Sequence, residues 1–296
     1  MRRLGIALAF ASQFFVVALA QTAPPSGTRP TFTDRQLTAV PNSTAIRRSI
    51  WVPYLDNGFV PQGLTVQDGF VFLSGYISID PKQGRGPCWV HQIDPERSAV
   101  MGIRALPETC GHAGGAARGP AGIIYVADTH HVFEVHVVGG PGNSGRVAHT
   151  TKLKGKLLGS FAAGSKDALW LGGYRREGDA ETRFYRIPHA ALDAPEIDET
   201  QATASLPLPD RAQGAAFAPD GRLWITRSGS KFGELLRLDP KTGAIEARYD
   251  MPAGIEDISF APDGRLWAVV EAGSRRWNSW TTFFPLVFEI DIARLR

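Results

Sequence analysis

The segment APDGRLW occurs twice, once after Phe217 and once after Phe260, with its aspartates Asp220 and Asp263 43 residues apart. Each copy sits in a longer repeat: QGAAFAPDGRLWITRSGS from Gln213 and EDISFAPDGRLWAVVEAG from Glu256. Three looser copies precede them: QGLTVQDGFVFLSGY from Gln62, GGAARGPAGIIYVADT from Gly114 and GSFAAGSKDALWLGGY from Gly159. A unit of 40 to 50 residues repeated along a chain marks structures built from one small sheet at a time, each covered by its neighbours.

Within a unit, a short stretch of small residues (GAAFA) suits an innermost strand, where neighbouring sheets converge. Asp-Gly makes a tight turn, because glycine takes positive φ at little cost. LWITR or LWAVV is then a β-branched and aromatic strand that asks for burial. A third strand follows in CWVHQID, VFEVHV, RFYRIP, ELLRLD and LVFEID, and a fourth in segments such as AIEARYD. Helical periodicity is essentially absent. The expectation is an all-β propeller of four-stranded blades.

The last unit stops at its third strand, LVFEIDIARLR, while IRRSIWVPYL from Ile46 stands as an orphan strand before the first unit. If the orphan completes the last blade, the ring closes with five blades and no exposed edge. A sixth blade within residues 31–59 is the alternative.

The N-terminus bounds the compartment. Arg2 and Arg3 precede an almost wholly apolar run from Leu4 to Ala20, and Ala18-Leu19-Ala20 gives a small-x-small site before Gln21. This predicts a cleaved signal peptide over residues 1–20 and a secreted or periplasmic protein. A retained anchor is disfavoured because the run is short and Ser12-Gln13 interrupts it. Residues 21–32, rich in Pro, Ser and Thr, read as a flexible lead-in, and 33–296 as a single domain. No later run is long enough to span a membrane. The net charge is only +3, two units of which leave with the signal. With the basic residues scattered, nothing points to nucleic acid. The two cysteines, Cys88 and Cys110, both lie in the exported part. They are expected to pair, because one begins a third strand and the other ends the adjacent fourth. A monomer is expected.

In a four-stranded blade the start of the inner strand and the loop after the second strand share one face. That face collects Gln62, His112, Ser160, Gln213, Glu256 and Asp257 from the strand starts. The loops add Tyr76, Asp128, His130, His131, Tyr174, Arg175, Arg227, Ser228 and Glu271. Pockets at the mouths of closed β structures are the usual ligand sites. Ligand contact is therefore expected from Gln62, Asp128, Tyr174, Gln213 and Arg227, and acid/base chemistry from His112 and Glu256. Adjacent carboxylates at Glu256-Asp257 are costly to leave unpaired. They ask for a cation, a general acid/base role, or Arg227 as a salt-bridge partner. Trp170, Trp224 and Trp267 occupy equivalent repeat positions and read as blade packing. His91, His136 and His189 fall on or beside outer strands and read as exposed. No nucleophile elbow, zinc-protease motif, P-loop or dinucleotide fingerprint is present, so no nucleotide cofactor is expected.

From Gln213 to about Asp291 the blade signature resembles the broad superfamily of SMP-30/gluconolactonase-like and NHL-type propellers. That resemblance implies a divalent cation, calcium above all, in the channel, with Glu256, Asp257 and Gln213 as its ligands here. Gln213 stands where the family's NGLAFSPDG-type segment has Asn, and offers the same carbonyl on a longer arm. The family's E-G-P-x-W start is missing. Pro61-Gln62-Gly63-Leu64 is similar to a segment of the five-bladed glutamine cyclotransferases, but their E-S-T-G continuation reads Leu73-Ser74-Gly75-Tyr76 here. Two functions follow as expectations: a metal-assisted hydrolase or lactonase, or a non-enzymatic propeller that binds a small molecule, glycan or protein. For the second, Tyr76, Tyr174 and the Trp277–Trp280 segment would supply an aromatic mouth.

Overall fold

A computed structural model describes residues 23–137 and 145–296. The expected signal peptide lies outside the described residues. Strand β1 is Ile46–Trp51. The first blade is β2 (Phe59–Gln67), β3 (Phe70–Ile77), β4 (Cys88–Asp94) and β5 (Ala99–Ala105), and the second is β6 (Gly115–Arg118), β7 (Ile123–Asp128), β8 (His131–His136) and β9 (Arg146–Leu153). The third has β10 (Phe161–Gly164), β11 (Ala168–Gly172) and β12 (Arg183–Pro188). The chain then crosses to the second blade, where the short β13 (Glu196–Ile197) lies parallel to β9, and returns with β14 (Ala204–Pro207) as the third blade's outer strand. The fourth is β15 (Ala212–Phe217), β16 (Leu223–Gly229), β17 (Phe232–Leu238) and β18 (Ile245–Met251). The fifth is β19 (Ile255–Phe260), β20 (Leu266–Val270) and β21 (Leu286–Ile290), completed from outside by β1.

Five sheets, not six, surround the channel. β1 runs antiparallel to β21, with Ile50 opposite Val287 and Trp51 opposite Leu286. The ring is therefore closed by joining chain ends, as the missing fourth strand required. Asn42 adds a second tie, donating its amide to the carbonyls of Asp250 and Arg296 and accepting from the Arg296 amide.

The repeat has the local physics expected of it. In both APDGRLW copies the aspartate accepts the amide two residues on, Arg222 from Asp220 and Arg265 from Asp263, and the glycine between sits at φ +84°. Trp170, Trp224 and Trp267 are buried. Trp224 lies between Tyr249 and Phe260 at centroid distances of 6.0 and 6.2 Å. These rings weld one blade to the next and do not face the channel mouth.

Two expectations are corrected. Residues 23–32 are not a free lead-in: the Ser26 amide donates to Ser49, Trp51 donates back to Ser26, and Asp56 accepts the amides of Thr31 and Phe32. Backbone pairing to the outer strand of the last blade outweighs a composition that suits a linker. His91 is also buried rather than exposed. It lies 5.0 Å from the Tyr54 ring and 4.4 Å from Phe59, and burial pushes its pKa down to about 3. The 3-10 turn at Leu55–Asn57 carries Tyr54 over what would otherwise be an outer surface. His136 and His189 are half-buried, His136 against Glu134 and His189 against Tyr125.

Cys88 and Cys110 form a disulfide with Cα atoms 5.9 Å apart. Cys88 opens β4, as expected, whereas Cys110 sits beyond β5 in the loop entering β6. The bridge thus ties the loop carrying His112 to the first blade. Replacing both cysteines with alanine is expected to lower stability by about 3 kcal/mol, given the 22-residue separation. Urea denaturation measures it, and an unchanged midpoint would contradict the role assigned to the bridge.

Candidate functional site

Three inner strands begin with a β-bulge, and the bulges select which side chains enter the channel. In β2 Pro61 pairs with Gly75 and Leu64 with Leu73, leaving Gln62-Gly63 opposite one residue. In β15 the shift falls between Ala212 and Gly214, and in β19 between Ile255 and Ile258. Gln213 and the pair Glu256-Asp257 therefore leave the ladder as Gln62 does. A bulge re-aims a side chain without breaking the sheet.

The residue after each of the two glutamines is glycine because neighbouring strands crowd it. A Cβ on Gly63 would lie 2.5 Å from the Ala116 amide nitrogen, and one on Gly214 2.5 Å from the Asp257 Cα. In the fifth blade the equivalent position is Asp257, fully buried. Its Oδ2 accepts the amides of Leu64 and Ala116, both at 3.0 Å, and its Oδ1 accepts that of Ile258 at 2.9 Å. The Ala215 amide also donates to this carboxyl. Burial pushes the carboxyl up and the amides pull it down. Every one of these partners is a donor, so the ionised form is the one that satisfies them. Asp257 is therefore a pin across four blades, not an open ligand.

Glu256, one residue earlier, turns toward the mouth. Its Oε1 accepts from Gln213 Nε2 at 3.2 Å, and its carboxyl hydrogen-bonds to that of Glu271, which follows β20. Glu271 Oε2 also accepts from Trp277 Nε1 at 2.6 Å and from Gln62 Nε2 at 2.9 Å. Two hydrogen-bonded carboxyls must share a proton. Burial raises both, and the neighbouring charge of Glu271 raises Glu256 further, so Glu256 holds the proton. Burial lifts Glu271 to about 7 against the opposing pull of Trp277, Arg276 and Gln62. The pair thus places a carboxylate that titrates near neutrality at the edge of the cavity.

His112 closes another side. The Asp128 carboxylate accepts the His112 and Ala113 amides at 2.7 and 3.1 Å, which shapes the loop. The ring stacks on Tyr76 with centroids 4.7 Å apart, and Nδ1 bonds the Gly84 carbonyl at 2.8 Å. A carbonyl can only accept, so Nδ1 carries the hydrogen and Nε2 is left as the acceptor. Among the described residues Nε2 makes no hydrogen bond, and the ring lines the cavity. Burial, first among the causes, holds the ring below its ordinary pKa and hence neutral.

Gln62, His112, Tyr174, Gln213, Glu271 and Trp277 converge on one cavity of about 660 Å³, with Ser160 beside them. Three expected site residues do different work. Asp128 is buried under the His112 loop and shapes it. Arg227 is held by Asp210 at 2.6 Å and Glu234 at 2.5 Å and faces a separate hollow, so it does not reach Glu256. Asp210, in the loop before β15, captures it first. Tyr76, counted as a possible mouth aromatic, is fully buried beneath Arg276 and His112. Two residues do more than the sequence suggests: Glu271, expected only on the mouth-facing side, pairs with Glu256, and Trp277, expected only as a mouth aromatic, donates to Glu271. Glu271 lies on the expected face, 15 positions from Glu256, and the β19–β20 hairpin that sets Ile255 opposite Val270 brings the two together.

The residues do not fit the calcium site that the resemblance implies. Asp257 is taken by backbone amides, Gln213 turns its amide nitrogen toward Glu256, and Glu256 faces another carboxyl. Among the described residues, no group of three His, Cys, Asp or Glu side chains is placed to hold an ion.

No protein-family model matches the chain, and no curated protein matches it. Solved structures match its fold. Glutaminyl cyclase of Myxococcus xanthus superposes with a TM-score of 0.54 at 16% identity, over 79% of this chain and 91% of its own. The PQQ-bound aldose sugar dehydrogenase of Streptomyces coelicolor gives 0.51 at 13% identity, over 78% and 94%. A gluconolactonase of Xanthomonas campestris gives 0.47 at 14% identity, over 92% and 98%. The chain is a five-bladed β-propeller with a polar cavity at one channel mouth.

Two outcomes follow. Asp257→Asn replaces one acceptor oxygen with a donor facing amides, and is expected to cost about 3 kcal/mol or more; a urea midpoint equal to wild type would refute the pin. For Glu271 the folded pKa lies above the ordinary value of 4.5. Between that value and about 7 the folded state binds more protons than the unfolded one, so this group's contribution to stability falls as pH rises. Glu271→Gln should therefore gain stability relative to wild type between pH 5 and pH 7.5. A difference independent of pH would rule out the raised pKa.

Proposed function

We propose that the cavity is the active site of a secreted or periplasmic hydrolase that works by metal-free general acid–base chemistry on a small lactone or related ester. The Glu256–Glu271 pair carries this reading. A protonated partner and a carboxylate titrating near neutral pH, one of them on the cavity wall, suit a group that must take and return a proton at physiological pH.

In this reaction the Glu271 carboxylate takes a proton from water as the water oxygen attacks the acyl carbon. The resulting Glu271 acid returns that proton to the alkoxide that leaves when the ring or ester C–O bond breaks. Glu256 keeps its own proton and, with Gln62 and Trp277, holds Glu271 in one orientation. His112 Nε2 accepts from water or a substrate hydroxyl. Tyr174 and Trp277 supply apolar surface for the substrate body. A binding-only propeller is the weaker reading, since it asks for an uncharged aromatic mouth, and this one carries a carboxylate and three arginines.

The compartment is supported by the disulfide, which persists in oxidising surroundings. Mass determination of the exported protein should give an N-terminus at Gln21. Activity is tested on a panel of small lactones and nitrophenyl esters. Hydrolysis should survive EDTA, show a limb near pH 7, and fall at least about 100-fold in Glu271→Gln with the circular dichroism spectrum unchanged. Loss of activity on chelation, or full activity in Glu271→Gln, would overturn the acid–base assignment.

A further inference from the structure

Three guanidinium groups surround the same cavity, and among the described residues none of them forms an ion pair with a carboxylate. Arg276 is buried, only 8% exposed. It donates to the carbonyls of Asp80 and Pro81 at 3.3 and 3.2 Å and to the Tyr76 hydroxyl, and stacks on the Trp277 ring at 4.0 Å. These partners orient the group but carry no charge, and among the described residues no acid lies within ion-pair distance of it. A buried cation left in that state is costly unless an anion visits it.

Arg85 and Arg176 stand exposed at the rim, and among the described residues neither side chain makes a hydrogen bond or ion pair. Arg85 is nevertheless placed. Its guanidinium lies across Gly111, where any Cβ would strike it, so it is laid over the loop that carries His112. The charges of Arg276 and Arg85 both reach His112 and help depress its pKa. Other arginines are neutralised where they enter the blades, as in Arg227 with Asp210 and Glu234, or Arg265 with Asp263 and Glu289. Among the described residues the one acid on the cavity wall is Glu271, which is already engaged with Glu256.

We infer that the ligand of this cavity is an anion, bearing a carboxylate or phosphate group that Arg276 receives from the wall while Arg85 and Arg176 draw it in from the rim. A planar guanidinium with free N–H groups matches such an oxyanion, and unpaired cations around a concave, low-dielectric mouth concentrate anions there. This takes the cavity as the substrate site, as proposed above, and does not depend on the acid–base step.

The test is calorimetric titration of the intact protein at low and at 0.3 M salt with succinate, inorganic phosphate and neutral D-glucono-δ-lactone. Succinate or phosphate should bind, the tighter of the two identifying the oxyanion. Affinity should weaken at the higher salt, and by about tenfold in each of Arg85→Gln and Arg176→Gln, which are surface changes that spare the fold. Arg276→Lys, which keeps the charge but loses the planar fork, should weaken it at least as much. Failure of both anions to bind, binding indifferent to all three arginines, or tighter binding of the neutral lactone would each overturn the inference. Arginine-dependent anion binding without hydrolysis of any lactone or ester would leave the ligand class standing and remove only the acid–base reading.

Discussion

The Asp257 carboxylate is the interaction on which the rest of the molecule turns. A five-bladed ring brings its inner strands so close that Gly63 and Gly214 admit no side chain. One acid fills the space they leave and receives amides from blades one, two, four and five. Buried amides need acceptors, and at this level the bulged strand starts have none in their own sheets. A single carboxylate therefore satisfies several blades at once and closes the channel beneath the cavity.

The cavity's chemistry follows from that plug. With the channel closed below, Glu256 sits away from water beside a neighbour whose charge is spoken for by amides. Among the described residues no cation pairs with it, and Arg227, the partner expected from the neighbouring blade, is captured by Asp210 and Glu234. Glu256 instead keeps a proton and gives it to Glu271 in a hydrogen bond, and Glu271 is held just ionisable by Trp277, Gln62 and the charge of Arg276. A carboxylate held by amides and one that shares a proton with another acid thus stand side by side in one dipeptide. What separates them is whether the partners are amides or another acid.

Closure and the disulfide serve the same region. The β1–β21 pairing fixes the blade that contributes Glu256, Glu271 and Trp277 against the blade that contributes Gln62. The Cys88–Cys110 bridge holds the loop on which Asp128 shapes the His112 turn. The mouth that results is cationic at its rim and acidic at one point within.

By itself the sequence determined the architecture: a 43-residue repeat with small inner strands, Asp-Gly turns and a surplus N-terminal strand admits little but a closed ring. It also determined the disulfide and the face on which Gln62, His112, Gln213 and Glu256 meet, because strand direction is set by alternation along each blade. It did not reveal that Asp257 is a pin, that Arg227 turns away, or that His91 is covered, since each depends on a partner from another blade or a loop. The β19–β20 hairpin places Glu256 beside Glu271, but the burial and the Gln62, Trp277 and Arg276 neighbours that set their protons were decided only in the tertiary structure. Repeats fix where a strand starts, whereas the proton on a carboxyl depends on every group that surrounds it in space.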